Sequence, residues 1–238
     1  LYFFSEIKEN EGFDPFYYTN LFSSISFGNS PIISLGFNRS FISGRVEGSP
    51  IDKREASTLV FNTLKRTNDS WDQLLIGYVS VIFPESNTNM YFELGTDDSR
   101  ENISDLKAHW DHALGMVVGI KKFNFFNNKN IFLGLEYLST KNMNTLKFYR
   151  GNRDSPNFYE KGRYNFSSHF GRKWGAHSGS DSDDRIIMVG MIENTFSIFC
   201  SFNIERHGVI SRKYPEKKYE YILRFNKKIK NFVLALYL

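Results

Sequence analysis

The sequence predicts an all-β fold, an antiparallel transmembrane outer-membrane β-barrel, whole or its C-terminal part, built as a meander of hairpins. Three observations carry this reading. Aromatic residues make up 17% of the 238 positions, with 24 Phe and 13 Tyr, yet the mean hydropathy is negative. No stretch approaches the run of about 18 apolar residues that a membrane helix needs. Many segments instead alternate apolar and polar residues with period two, as a strand does when successive side chains meet lipid and lumen. The chain is expected to be a single domain over 1–238, although a soluble β-sandwich would show the same alternation.

The first residues, from Leu1, already have the character of a strand, with neither an initiating Met nor a signal sequence before them. The expectation is that an N-terminal portion is missing. Strands are predicted at 32–39, 41–48, 57–66 and 71–83, with turn chemistry at Asn68-Asp69-Ser70 and Glu85-Ser86-Asn87. In 89–96, Met90, Phe92 and Leu94 oppose Asn89, Tyr91, Glu93 and Gly95. Residues 98–110 are the one helix-like interval, with Ser99 placed to cap it. In 112–122, Leu114, Met116, Val118 and Ile120 oppose a face rich in small residues.

Further strands are predicted at 129–139, 145–150, 163–170 and 185–192. The clearest alternation runs over 195–206, where Phe196, Ile198, Cys200, Phe202 and Ile204 oppose Thr195, Ser197, Phe199, Ser201, Asn203 and Glu205. Phe196, Ile198, Phe202 and Ile204 are expected to face lipid, and Ser197, Ser201, Asn203 and Glu205 the interior. Strands at 218–228 and 231–238 complete a predicted total of roughly twelve to fourteen.

The formal charge of +4 is spread through strands and turns, which argues against a nucleic-acid partner. It suits instead the phosphates of outer-membrane lipid or lipopolysaccharide, or an acidic polysaccharide. The single cysteine, Cys200, has no partner for an internal disulfide and is read as a small buried hydrophobe. His109-Trp110-Asp111-His112 fits no closed zinc pattern, and Trp110 suits an interfacial girdle. Asp181, Asp183 and Asp184 lie in a calcium-like acidic stretch that lacks the spaced glutamate of an EF-hand, so they are weak metal candidates beside an ordinary solvated turn. No Gly-x-Ser-x-Gly elbow occurs; no catalytic residue and no cofactor are expected.

Arg163, Tyr164, Arg172, Lys173, Trp174 and His177, with Arg206-His207 further on, place cations and aromatics near predicted strand ends. Sugars favour that mixture, because their C–H faces pack on rings while uronate carboxylates take hydrogen bonds from Arg. An ordinary barrel interior with an interfacial girdle would hold the same residues. The segment 163–184 is expected to form a hairpin whose loop engages polysaccharide at a barrel mouth.

Residues 164–192 read YNFSSHFGRKWGAHSGSDSDDRIIMVGMI, with Tyr164, Gly171, Trp174, Gly175, His177, Gly179 and Asp181 to Asp184 marking a strand, a turn and a glycine-rich polar loop. This resembles the late segment of Wzi-type capsule assembly proteins of the bacterial outer membrane. Residues 42–64 (ISGRVEGSPIDKREASTLVFNTL), the Trp-containing hairpin at 71–83, and 89–119 with Glu93 are similar to earlier elements of that family in the same order. The resemblance implies a barrel that retains capsular or surface polysaccharide as a lectin and not as an enzyme. Family members are larger and carry a periplasmic helical plug. The alternative function is a structural barrel subunit of a larger secretion or adhesion complex, in contact with other envelope proteins.

Overall fold

Period-two alternation becomes strand after strand in the computed structural model, which describes residues 1–7, 16–44, 52–61, 71–97, 114–125, 130–142, 168–169, 172–173, 178–229 and 232–237. The strands are β1 (Tyr2–Ile7), β2 (Phe16–Phe27), β3 (Ile32–Gly44), β4 (Trp71–Phe83), β5 (Thr88–Asp97), β6 (Leu114–Phe123), β7 (Ile131–Asn142), β8 (Ser168–His169), β9 (Arg172–Lys173), β10 (Ser182–Ile192), β11 (Phe196–His207), β12 (Glu216–Ile229) and β13 (Phe232–Tyr237). Eleven of them form one antiparallel meander in chain order, in which β7 pairs directly with β10; β8 and β9 pair only with each other. Since every neighbouring pair in the large sheet is antiparallel, its edge strands β1 and β13 run in the same direction. Among the described residues the sheet is open.

Register sorts the side chains into two faces. One row of cross-strand partners runs Ile25, Leu35, Val79, Phe92, Val118, Tyr137, Arg185, Ile204, Tyr219 from β2 to β12. The next runs Phe27, Ile33, Val81, Met90, Ile120, Leu135, Ile187, Phe202, Tyr221. Ile25, Leu35, Phe92, Val118, Leu135, Ile187, Val189, Tyr219, Tyr221 and Leu223 are all exposed, and all belong to this apolar face. Phe202 stacks on Tyr221 with ring centroids 4.8 Å apart. Cys200 also lies on this face and is exposed, which corrects its reading as buried: a small apolar side chain at an outward position meets whatever covers the face, not a core. The alternation of 195–206 is realised, with Asn203 and Glu205 buried on the opposite, polar face.

The connections differ at the two ends of the sheet. At one end they are short: 28–31, 84–87, 124–130, 193–195 and 230–231. At the other they are 8–15, 45–70, 98–113, 143–181 and 208–215. On β12 the apolar face is bounded by charge at both ends. There it carries Lys217, Tyr219, Tyr221, Leu223, Phe225 and Lys227 in succession. From Lys217 to Lys227 is about 34 Å along the strand.

Three predicted elements differ from those observed. The strands expected at 32–39 and 41–48 are one strand, β3, through Gly44. Alternation fails there because Phe41 and Ile42 are both buried, Phe41 against Ala56, Leu59 and Val60 and Ile42 against Ile7 and Phe16 on the other face. The strand expected at 57–66 is instead helix α1 (Lys53–Thr58) followed by a 3-10 turn (Leu59–Phe61). Its signal is helical: Ala56, Leu59 and Val60 have i, i+3, i+4 spacing, and the Asp52 side chain accepts a hydrogen bond from the Glu55 backbone N–H at 2.7 Å as an N-cap. Strand β2 had no counterpart among the predicted elements. Of the other expectations, 98–110 and 145–150 lie outside the described residues, and of 163–170 only β8 lies within them.

Candidate functional site

The polar face is shaped by aromatic rings laid over glycines. Tyr91 pairs across β5–β6 with Gly119, Phe132 across β7–β10 with Gly190, and Tyr78 across β3–β4 with Gly36. A Cβ built at Gly119 would stand 2.2 Å from the Tyr91 ring, and one at Gly190 2.0 Å from Phe132. Only glycine leaves room for a ring to lie flat against the next strand. Replacing Gly119 with Val is expected to lift Tyr91 off the wall at a cost of about 1–3 kcal/mol, read as a lower urea midpoint, and adding Tyr91→Ala should recover part of the loss.

The flattened rings carry cations. The Lys121 ammonium lies 5.1 Å from the Tyr91 ring centroid, and the Tyr91 hydroxyl donates to Glu136. The Arg224 guanidinium lies 5.6 Å from Phe199, which stacks on Phe132 at 6.2 Å. Asn226 donates to Ser197 at 3.2 Å and Ser80 to Asn89 at 2.9 Å, so the face is also supplied with amides and hydroxyls. Two cation–aromatic ledges with neighbouring hydrogen-bonding groups can hold a sugar ring and its carboxylate. Lys121 and Arg224 were not among the predicted site residues. Their shared face follows from register across β6 to β12, which single-strand alternation does not contain.

A second concentration of charge stands at the end with the long connections. On the polar face, buried Glu205 accepts from Lys218 at 3.1 Å and contacts His207 at 2.9 Å. On the apolar face, buried Asp183 accepts from Lys141 at 2.7 Å and from Arg206 Nε at 2.7 Å, with a second contact from the other arm of the guanidinium. Ser182 is held among Thr140 and Ser178 at 2.9 Å each. Asp181, with positive φ (46°), accepts from the backbone N–H groups of Ile210 and Ser211 at 2.8 and 2.9 Å. That carboxylate ties the start of β10 to the turn after β11.

The weak metal candidates therefore do not converge. Asp181 serves a turn, and Asp183 and Asp184, as consecutive strand residues, point to opposite faces. No group of three or more metal-ligating side chains is present among the described residues. Of the predicted polysaccharide residues, Arg172 and Lys173 form β9 and pair with His169 and Ser168; Arg163, Tyr164, Trp174 and His177 lie outside the described residues. Arg206 and His207 sit on adjacent positions of β11 and so face opposite sides, one toward Asp183 and one toward Glu205. Comparison with protein-family models, with curated proteins and with solved structures returned no match.

Proposed function

We propose that this chain forms the wall of a bacterial outer-membrane β-barrel that retains an acidic surface or capsular polysaccharide without catalysis, in line with its resemblance to Wzi-type capsule assembly proteins. The observation that carries the membrane part is the apolar face, which crosses nine strands and on β12 lies between cations about 34 Å apart along the strand, or about 26 Å of height at a barrel strand's tilt of about 40°. An outward apolar band of about 25 Å is what a transmembrane barrel presents to lipid. A soluble sandwich would cover that face with a second sheet. Alternation of short and long connections adds an orientation, since such barrels keep short turns on the periplasmic side and long loops outside.

Support for the glycan comes from the cation–aromatic ledges at Lys121–Tyr91 and Arg224–Phe199 and from the basic hairpin residues Arg172 and Lys173. Asp181 and Asp183, which would otherwise repel an acidic chain, already bind backbone N–H groups and cations of this protein. The test is the triple variant Arg172→Ala, Lys173→Ala, Trp174→Ala, with folding verified by heat-modifiable migration. Retention of purified acidic polysaccharide should fall at least about tenfold, given about 1.5 kcal/mol or more for each charged hydrogen bond lost. Undiminished retention removes the glycan assignment.

The edges of β1 and β13, which pair with no further strand among the described residues, favour a second reading, a structural subunit completed by other envelope proteins. Stoichiometric copurification with such proteins, and no glycan retention, would select it.

A further inference from the structure

The apolar face changes character in a regular order toward the end with the long connections. Across β7, β10, β11 and β12 the partners run Leu133, Val189, Cys200, Leu223; then Leu135, Ile187, Phe202, Tyr221; then Tyr137, Arg185, Ile204, Tyr219; then Ser139, Asp183, Arg206, Lys217. Lys141 follows Ser139 on the same face and lies 5.9 Å from the Tyr137 ring. Apolar rows thus give way to a tyrosine row and then to a cationic one. Among the described residues of these four strands, four cations stand on this face against a single carboxylate, Asp183, which Lys141 and Arg206 already neutralise. Arg185 and Lys217 are exposed.

Arg185 is exposed between Tyr137 and Ile204, neither of them charged, and among the described residues it makes no hydrogen bond or ion pair. It is placed where hydrocarbon would end. We propose that Arg185 and Lys217, flanked by Tyr137 and Tyr219 and backed by Arg206 and Lys141, bind the phosphate of an anionic lipid headgroup in the leaflet on the long-connection side. Guanidinium offers two parallel N–H groups to the phosphate oxygens. The lysine adds a mobile charge above it, and the tyrosines sit at headgroup depth with apolar bodies and polar tips. The inference rests on the membrane reading above and deepens it by assigning a ligand and a side.

The test uses the full chain refolded into phosphatidylcholine vesicles with spin-labelled phosphatidylglycerol as the probe. Arg185→Gln with Lys217→Gln should weaken association of the probe about 25-fold, at about fivefold per cation at an anionic surface. The matched pair Lys122→Gln with Lys227→Gln, at the opposite end of the same face, should leave it within about twofold. Equal loss from both pairs, or no loss from the first, overturns the site while leaving the membrane reading intact. Inorganic phosphate that displaces the probe would also overturn it, by assigning the cations to a free anion. A chain that inserts into no vesicle overturns both.

Discussion

Val189→Arg will prevent, or strongly reduce, folding of the chain into lipid vesicles, while Ser201→Arg will be tolerated. Val189 is exposed on the apolar face between Leu133 and Cys200, with Ile187 and Met191 before and after it on the same strand. A guanidinium there has no polar neighbour and no short route to either charged boundary. In a bilayer this costs about 2–4 kcal/mol near midplane, comparable with much of the stability of a domain of this kind. Ser201, one strand away, belongs to the polar face opposite Met188 and Ile222, where, in the proposed barrel, a long cation would reach water. The pair differs in face and hardly in depth, so equal outcomes in a heat-modifiability or urea assay would contradict the assignment of faces.

The second large effect concerns Asp183. Its carboxylate is buried to 1% exposure and held by Arg206 and Lys141, each about a quarter exposed. Arg206→Ala removes two contacts from the guanidinium and leaves a buried charge with one lysine. The expected loss is about 3 kcal/mol, the lower part of the range for breaking a buried ion pair, because Lys141 remains. Lys141→Ala should cost less, and Arg206→Lys should restore only part of the loss, since an ammonium cannot span both carboxylate oxygens. Urea unfolding of the three variants in one detergent gives the order directly.

The sequence made the two faces legible where one was mostly apolar and the other mostly polar, as in β11 and β5. It failed where both faces held mixtures. In β2 the outward residues include Thr19 and Ser23, and the inward ones include Phe16, Tyr18 and Phe22, so the contrast between faces nearly vanishes. It failed again near the long-connection end, where α1 and the 3-10 turn after it cover the apolar face: Thr19 donates to the Ala56 carbonyl at 2.8 Å and Arg39 to that of Val60 at 3.1 Å. There Phe41 and Ile42 can both be apolar because both faces are covered. The charged cluster was invisible for a different reason. Asp183 meets partners 42 and 23 residues away, and only pairing of β7, β10 and β11 brings them together.

The native Cys200 allows the most direct test of the central claim, that the apolar face meets lipid. It is the sole cysteine, exposed, and stands between Val189 and Leu223 in the middle of the apolar rows. A nitroxide attached there, in the chain refolded into vesicles, should collide readily with oxygen, which concentrates in hydrocarbon, and poorly with a water-soluble nickel chelate. The same label on Ser201→Cys in a Cys200→Ser background should show the opposite balance. A label at Cys200 that collides with the chelate, or with neither reagent because a protein layer covers it, would contradict the account.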